Sequence, residues 1–213
     1  MIDLRVLHGE LRERHGPQGW WWPGEEPFEI AIGAVLVQRS RWEQAASAIS
    51  ALREAALLEA APLGAAAEER VRELVRAAGF PRTKPRRIQA LARWWDEHAT
   101  VAGTLSDEAL RGELLSIEGV GEETADVISL YCFGRPAFLC DEYARRLLRE
   151  RGAVVPGSYR AFRQALSDAL AAASFEVAEL AELHGLIVEE GKRERGTAQA
   201  VERTASSGHS TSD

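Results

Sequence analysis

Apolar positions recur with a period near 3.6 along almost every segment between turn signals, and no segment reads as a confident strand. In a chain this rich in alanine and leucine the pattern predicts an all-α fold. Helices are expected over 2–15, 27–38, 41–60, 67–79, 84–98, 106–116, 122–133, 142–151, 158–172 and 175–194. The second, FEIAIGAVLVQ, is apolar nearly all round, the pattern of a helix buried on every side. The last stretch, GTAQAVERTASSGHSTSD, is small, polar and aperiodic, so residues 196–213 are expected to be a disordered tail. Residues 1–195 then form one domain, with room for two helical lobes sharing a core.

Composition narrows the class. The 213 residues are 46% hydrophobic, ordinary for a soluble globular protein. No run of about 18 apolar residues occurs, and MIDLRVLHGELRERHG is charged throughout. Neither a membrane span nor a signal peptide is expected, and the protein should be cytoplasmic. Two cysteines, Cys132 and Cys140, are too few for a disulfide framework, a four-thiolate metal site or an iron–sulfur cluster. They are read as reduced, buried thiols. A net charge of −7 argues against coating nucleic acid by bulk electrostatics, which needs many lysine and arginine contacts to phosphate. The arginines cluster in FPRTKPRRIQALARWW and EYARRLLRERG, so any nucleic-acid contact must be local.

One stretch carries chemistry of its own. In IEGVGEETADVISLY, Gly119, Val120 and Gly121 join two expected helices. Two glycines one residue apart allow a tight turn whose N–H groups point outward, and the following helix N-terminus adds partial positive charge. The result is an anion site made of backbone. The same dipole favours acidic residues in the first helical turn, which accommodates Glu122 and Glu123. A lone turn of this kind would be no more than a helical hairpin.

The surroundings are more specific. L-x-x-I-x-G-V-G-x-x-T-A-D-x-I followed by FGRPAFLCDEYARRLL resembles the helix-hairpin-helix (HhH-GPD) motif and trailing aspartate of the endonuclease III superfamily of DNA base-excision glycosylases. The hairpin lies at about 106–133, and Gly119, Gly121, Thr124, Ala125, Pro136, Asp141, Arg145 and Arg146 fall at the family spacing. IAIGAVLVQRS resembles the buried helix whose final glutamine enters the gap left by a flipped base, which puts Gln38 in that role. GFPRTKPRRIQALA resembles the family's basic helix start, and ELHGLIVEEGK its last core helix. The resemblance covers roughly residues 15–195 and implies a two-lobed all-α glycosylase acting on duplex DNA that contains damaged bases, as a monomer and away from membranes.

Two departures refine this. Bifunctional members place a lysine eighteen residues before the aspartate to form a Schiff base; here Glu123 stands there, and a carboxylate forms no imine. The family's cysteine-rich loop is missing after EEGK, so the resemblance implies neither strand cleavage nor an iron–sulfur cluster, and no cofactor is expected. GWWWPGEEPFEIAIGAVLVQRSRWEQA is similar to the 3-methyladenine glycosylases that lack both features. An N3- or N7-alkylated purine is cationic, and electron-rich faces suit it. Trp21, Trp22 and Trp42 supply such faces, with Pro23 shaping the wall and Lys192 near the pocket. The same tryptophans could instead seal a core edge, as is expected of Trp94 and Trp95.

Asp141 is the expected catalytic residue: a carboxylate stabilises the sugar cation left by a departing base and takes a proton from attacking water. Its position also suits an N-cap, and the two roles are compatible. His184 fits a hydrogen-bonded core histidine. The DNA-facing set comprises Gln38, Lys84, Arg86, Arg87, the Gly119-Val120-Gly121 turn, Thr124, Arg145 and Arg146. Two alternatives stay open: an endonuclease III-like enzyme for oxidised pyrimidines or mismatched bases, and a non-catalytic DNA-binding module in which Asp141 only caps a helix.

Overall fold

The computed structural model describes residues 2–207, with side chains through Arg193. Twelve helices are present among them: α1 Leu4–His15, α2 Pro27–Leu36, α3 Trp42–Glu54, α4 Ala60–Ala65, α5 Glu68–Leu74, α6 Lys84–Ala102, α7 Asp107–Ser116, α8 Glu122–Phe133, α9 Glu142–Glu150, α10 Tyr159–Ala165, α11 Ser167–Ala173 and α12 Val177–Ser207. A 3-10 turn, Arg76–Ala78, precedes α6. No strand forms among the described residues, and none of their helices is long and apolar enough to cross a membrane.

The chain divides into two compact units. Residues 22–139 form one, containing α2 to α8; residues up to Trp21 and from Cys140 onward form the other, containing α1 and α9 to α12. In the 22–139 unit the core is built around α2, whose residues Ile30 through Leu36 are all buried. It packs against α3, α6 and α8, as its all-round apolar pattern requires.

Helix boundaries depart from the sequence pattern at several ends; α6, expected over 84–98, runs on to Ala102 before Gly103. The helix expected over 41–60 ends at Glu54, because Ala56 takes φ 54° and the Leu57 N–H turns back to the Leu52 carbonyl at 2.8 Å. That is the hydrogen bonding of a Schellman stop with alanine in the glycine position. The expected 158–172 helix breaks at Leu166 into α10 and α11. The last helix continues to Ser207 where a disordered tail was expected from 196; its alanine, glutamine, glutamate and arginine residues are good helix formers and no proline stops them. Positions 208–213 of that expectation lie outside the described residues.

In the other unit α1 is fastened to α12 by buried carboxylates. Glu190, with 3% of its side chain exposed, meets His15 at 2.6 Å and the guanidinium groups of Arg14 and Arg193. Glu182 meets His8 at 3.1 Å and accepts the Gln18 N–H at 3.1 Å. Burial acts to raise both acids, but the hydrogen bonds and cations outweigh it and hold both below the ordinary carboxylate value of 4.5. A carboxyl depressed by folding stabilises the native state above its unfolded pKa and loses that contribution as pH falls through its folded pKa. The thermal midpoint is therefore expected to fall as pH drops below about 4.5. Glu190→Gln should lower it by roughly 2–10 °C at pH 7 and flatten the acid limb, as followed by circular dichroism melts from pH 7 to 3.

Candidate active site and nucleic-acid interface

The hairpin is formed by α7, the Gly119-Val120-Gly121 turn and α8. Gly119 sits at φ 88°, and a Cβ there would lie 2.2 Å from Cγ of Arg87, so only glycine lets the Arg87 stem lie across the turn. Val120 turns its side chain into the core and leaves only backbone for any partner. Gly121, extended at φ −90° and ψ 179°, is the N-cap of α8 and brings no capping side chain to its first turn. Glu122 and Glu123 occupy that turn, Glu123 exposed and Glu122 3.8 Å from Arg111. The helix dipole favours carboxylates at this end.

Gln38 is tied into the same turn. Its amide nitrogen donates to the Gly119 carbonyl at 2.9 Å and to Thr124 Oγ1 at 3.0 Å, while Arg87 Nη1 donates to its Oε1 at 3.0 Å. Gln38, Arg87, Gly119 and Thr124 are thus one hydrogen-bonded cluster within the 22–139 unit.

Two residues expected at a DNA face are placed otherwise. Lys84 is 1% exposed, and its ammonium donates to the carbonyls of Leu36 and Ala78 at 2.6 Å each and to Ser40 Oγ at 2.7 Å. Burial, with help from the Arg87 guanidinium, pulls its pKa down to about 8. Lys84 shares the inward face of α6 with Ile88 and Leu91, and that helical spacing was the signal against phosphate contact. Arg145 is likewise buried, donating to the Pro156 carbonyl at 2.5 Å with its guanidinium over the Phe162 ring. Arg86 remains exposed and pairs with Glu68 at 3.3 Å.

Asp141 caps α9: its Oδ1 accepts the Ala144 N–H at 2.8 Å. Oδ2 lies 3.6 Å from Nε2 of His184 on α12, with side chains 13% and 7% exposed. The Trp21 ring stands edge-on to His184, centroids 5.1 Å apart. Gly185 makes this possible, since a Cβ there would come within 2.3 Å of Trp21 Cγ. Trp21 Nε1 donates to Glu189 at 3.3 Å, and Lys192 Nζ lies 5.2 Å from the Trp21 ring centroid while donating to Glu189 at 2.8 Å. Glu189 is the residue here that sequence reasoning missed; its signal was the i, i+4 spacing from Gly185.

The expected aromatic set divides by unit. Trp21 and Lys192 stand together in the unit that holds Asp141, and Trp22, Pro23 and Trp42 belong to the 22–139 unit. Trp22 is 8% exposed and packs against Trp42 at 6.0 Å and Tyr131 at 5.5 Å, so its ring contributes to a packed core edge. Pro23 is exposed.

The turn geometry separates two glycines that look alike in sequence. A Cβ on Gly121 meets nothing within 4 Å, whereas one on Gly119 collides with Arg87. Gly121→Leu is expected to cost only about 1 kcal/mol of stability and yet weaken binding to an abasic-analogue duplex roughly tenfold at fixed salt. Gly119→Leu should lower both affinity and thermal midpoint. Titrations by fluorescence anisotropy with parallel melts check this, and unchanged affinity in Gly121→Leu would leave the turn a structural hairpin.

Comparison with known proteins agrees with this architecture. Residues 32–172 match the HhH-GPD superfamily base excision DNA repair protein family. A Methanocaldococcus jannaschii protein named as a DNA repair glycosylase is 37% identical over 149 residues, spanning 68% of this chain and 67% of that protein. Endonuclease III of Thermotoga maritima is 31% identical over 127 residues, 60% of this chain and 57% of that protein. The solved structure of H. pylori 3-methyladenine DNA glycosylase (MagIII) bound to 1,N6-ethenoadenine superposes with a TM-score of 0.78 at 23% identity, covering 91% of this chain and 99% of that one. A trapped endonuclease III–DNA covalent intermediate gives a TM-score of 0.71 at 22% identity, over 88% and 85% of the two chains. The turn, the capping aspartate and the helices around them lie inside the matched segment, and the chain belongs to the HhH-GPD superfamily of base excision DNA repair proteins as a DNA glycosylase.

Proposed function

We propose that this glycosylase is monofunctional and releases alkylated purines such as 3-methyladenine from duplex DNA by water attack. The observation that carries the reading is the state of Trp21: a cation, the Lys192 ammonium, already lies over its face, with Glu189 pairing the ammonium and accepting the indole N–H. A surface that holds one cation in this way suits a cationic base. The name of the MagIII structure, a 3-methyladenine DNA glycosylase, supports an alkylated purine as the substrate.

The reaction needs little from the protein beyond placement and charge. The C1′–N bond breaks with its electron pair going to the base, so an alkylpurine that carried positive charge departs neutral. Positive charge then builds on the sugar, where the Asp141 carboxylate stabilises it; the oxygen of water bonds to C1′, and its proton passes to that carboxylate. Capping by Ala144 N–H fixes one carboxylate oxygen during this sequence. At Glu123 the chain offers no amine, so the sugar is not captured as an imine and the product is an abasic site.

No iron–sulfur cluster belongs to this reading. The chain has two cysteines, in different units: Cys132 donates to the Pro27 carbonyl at 3.2 Å, and Cys140 is buried. Four thiolates are what such a cluster takes. The working form is a monomer on duplex DNA, acting in the cytoplasm.

Incubation with methylated duplex DNA should release 3-methyladenine, detected by chromatography, with strand breaks appearing only after alkali and no covalent adduct trapped by borohydride. Release of oxidised pyrimidines together with a trapped adduct would instead favour the endonuclease III-like reading, which the name of the Thermotoga maritima relative supports. Asp141→Asn is expected to slow single-turnover base release about a hundredfold to ten-thousandfold with little change in thermal midpoint, because asparagine also caps helices well. Near-normal turnover in that variant would reduce Asp141 to a cap.

A further inference from the structure

Asp141 has two oxygens and the helix cap uses one. We propose that His184 is a positioning residue for base hydrolysis, holding the second oxygen of the Asp141 carboxylate from α12 while Trp21 holds His184. The proposal rests on the reading of Asp141 as the carboxylate that stabilises the sugar cation.

A carboxylate anchored through Oδ1 alone still turns about its last bond, and Oδ2 sweeps through the space where charge develops. His184 Nε2 stands 3.6 Å from Oδ2 and limits that swing. The imidazole is itself confined: it is nearly buried, the Trp21 edge stands against it at 5.1 Å, and the absence of a Cβ at Gly185 lets Trp21 sit that close. On the chain side, the Cys140 N–H donates to the Tyr159 hydroxyl at 3.3 Å and steadies the residue before the aspartate. The carboxylate thus stands between its own helix and α12, on a backbone tied to Tyr159. A carboxylate kept in one orientation beside Nε2, 3.6 Å from Oδ2, presents its charge to a sugar cation from a fixed place. Preorganised charge of this kind costs no rearrangement when the cation forms.

His184 and Trp21 both lie outside the segment 32–172 that matches the family, so this support comes from flanks that the family match does not cover. It also gives Trp21 a second part: one ring borders both the carboxylate's anchor and the cation of Lys192.

Glutamine places an amide N–H near where Nε2 of histidine stands, and asparagine places it near Nδ1, out of reach of Oδ2. Single-turnover release from methylated duplex is therefore expected to fall about ten- to a hundredfold in His184→Leu and His184→Asn and to recover to within about fivefold in His184→Gln, with affinity for a neutral tetrahydrofuran abasic duplex unchanged within about twofold. In an Asp141→Asn background, His184→Leu should add less than about twofold, since it acts through the carboxylate. A second measurement needs no particular base: the preference for a duplex carrying a cationic pyrrolidine ring over the tetrahydrofuran one, read by anisotropy. Asp141→Asn should abolish that preference, and His184→Leu and His184→Asn should cut it about tenfold while His184→Gln preserves it. Full rate and full preference in His184→Asn, or equal losses in all three variants with a lowered melting midpoint, would overturn the proposal. If Asp141→Asn itself keeps the pyrrolidine preference, the assignment of Asp141 fails first and separately.

Discussion

One buried ammonium fixes the part of the 22–139 unit on which the hairpin depends. Lys84 draws together the end of α2, the 3-10 turn and Ser40 through three short hydrogen bonds, two to the terminal carbonyls of Leu36 and Ala78 and one to the Ser40 hydroxyl, which itself donates to the Ala78 carbonyl. The positive charge also suits the negative end of α2. Gln38 follows Leu36 by two residues and reaches Gly119 and Thr124, while Arg87 follows Lys84 by one helical turn, lies across Gly119 and donates to Gln38, both from a junction that the ammonium has already set. Loss of this one cation would loosen the hairpin's supports.

The same economy sets how little cationic side chain an acidic glycosylase has left for DNA. Several cations are committed internally: Lys84 to carbonyls, Arg145 to Pro156, Arg111 to Asp126 at 2.6 Å, Arg14 to Glu190. A net charge of −7 leaves little for bulk attraction. Backbone N–H groups at a helix start are insensitive to that balance, and the carboxylates of Glu122 and Glu123 stand where the dipole accommodates them.

Much of this was legible in the sequence where a single physical signal decides the outcome. The all-round apolar run of α2, the paired glycines before α8 and the Asp141 cap each follow from local chemistry, and each sits where the pattern put it. Illegible features were those in which tertiary packing chose among local options. Alanine at position 56 enters a conformation usually left to glycine, so the end of α3 carried no marker. Lys84 and Arg145 look like surface charge by type and are interior by helical phase. The contact of His184 with Asp141 joins residues 43 positions apart and has no local trace beyond the glycine that follows the histidine.

That glycine carries a consequence for descent. Position 185 is empty because Trp21 fills the volume a methyl group would take, with its Cγ 2.3 Å from where that carbon would be. Neither residue is free to change first. A lineage that acquired a side chain at 185 would evict the indole, and one that lost the indole would find glycine an expensive interruption in a long helix and replace it. Positions 21 and 185, at opposite ends of the chain, are in effect one inherited character, and their joint presence or joint loss across relatives would trace where this arrangement of tryptophan, histidine and aspartate arose.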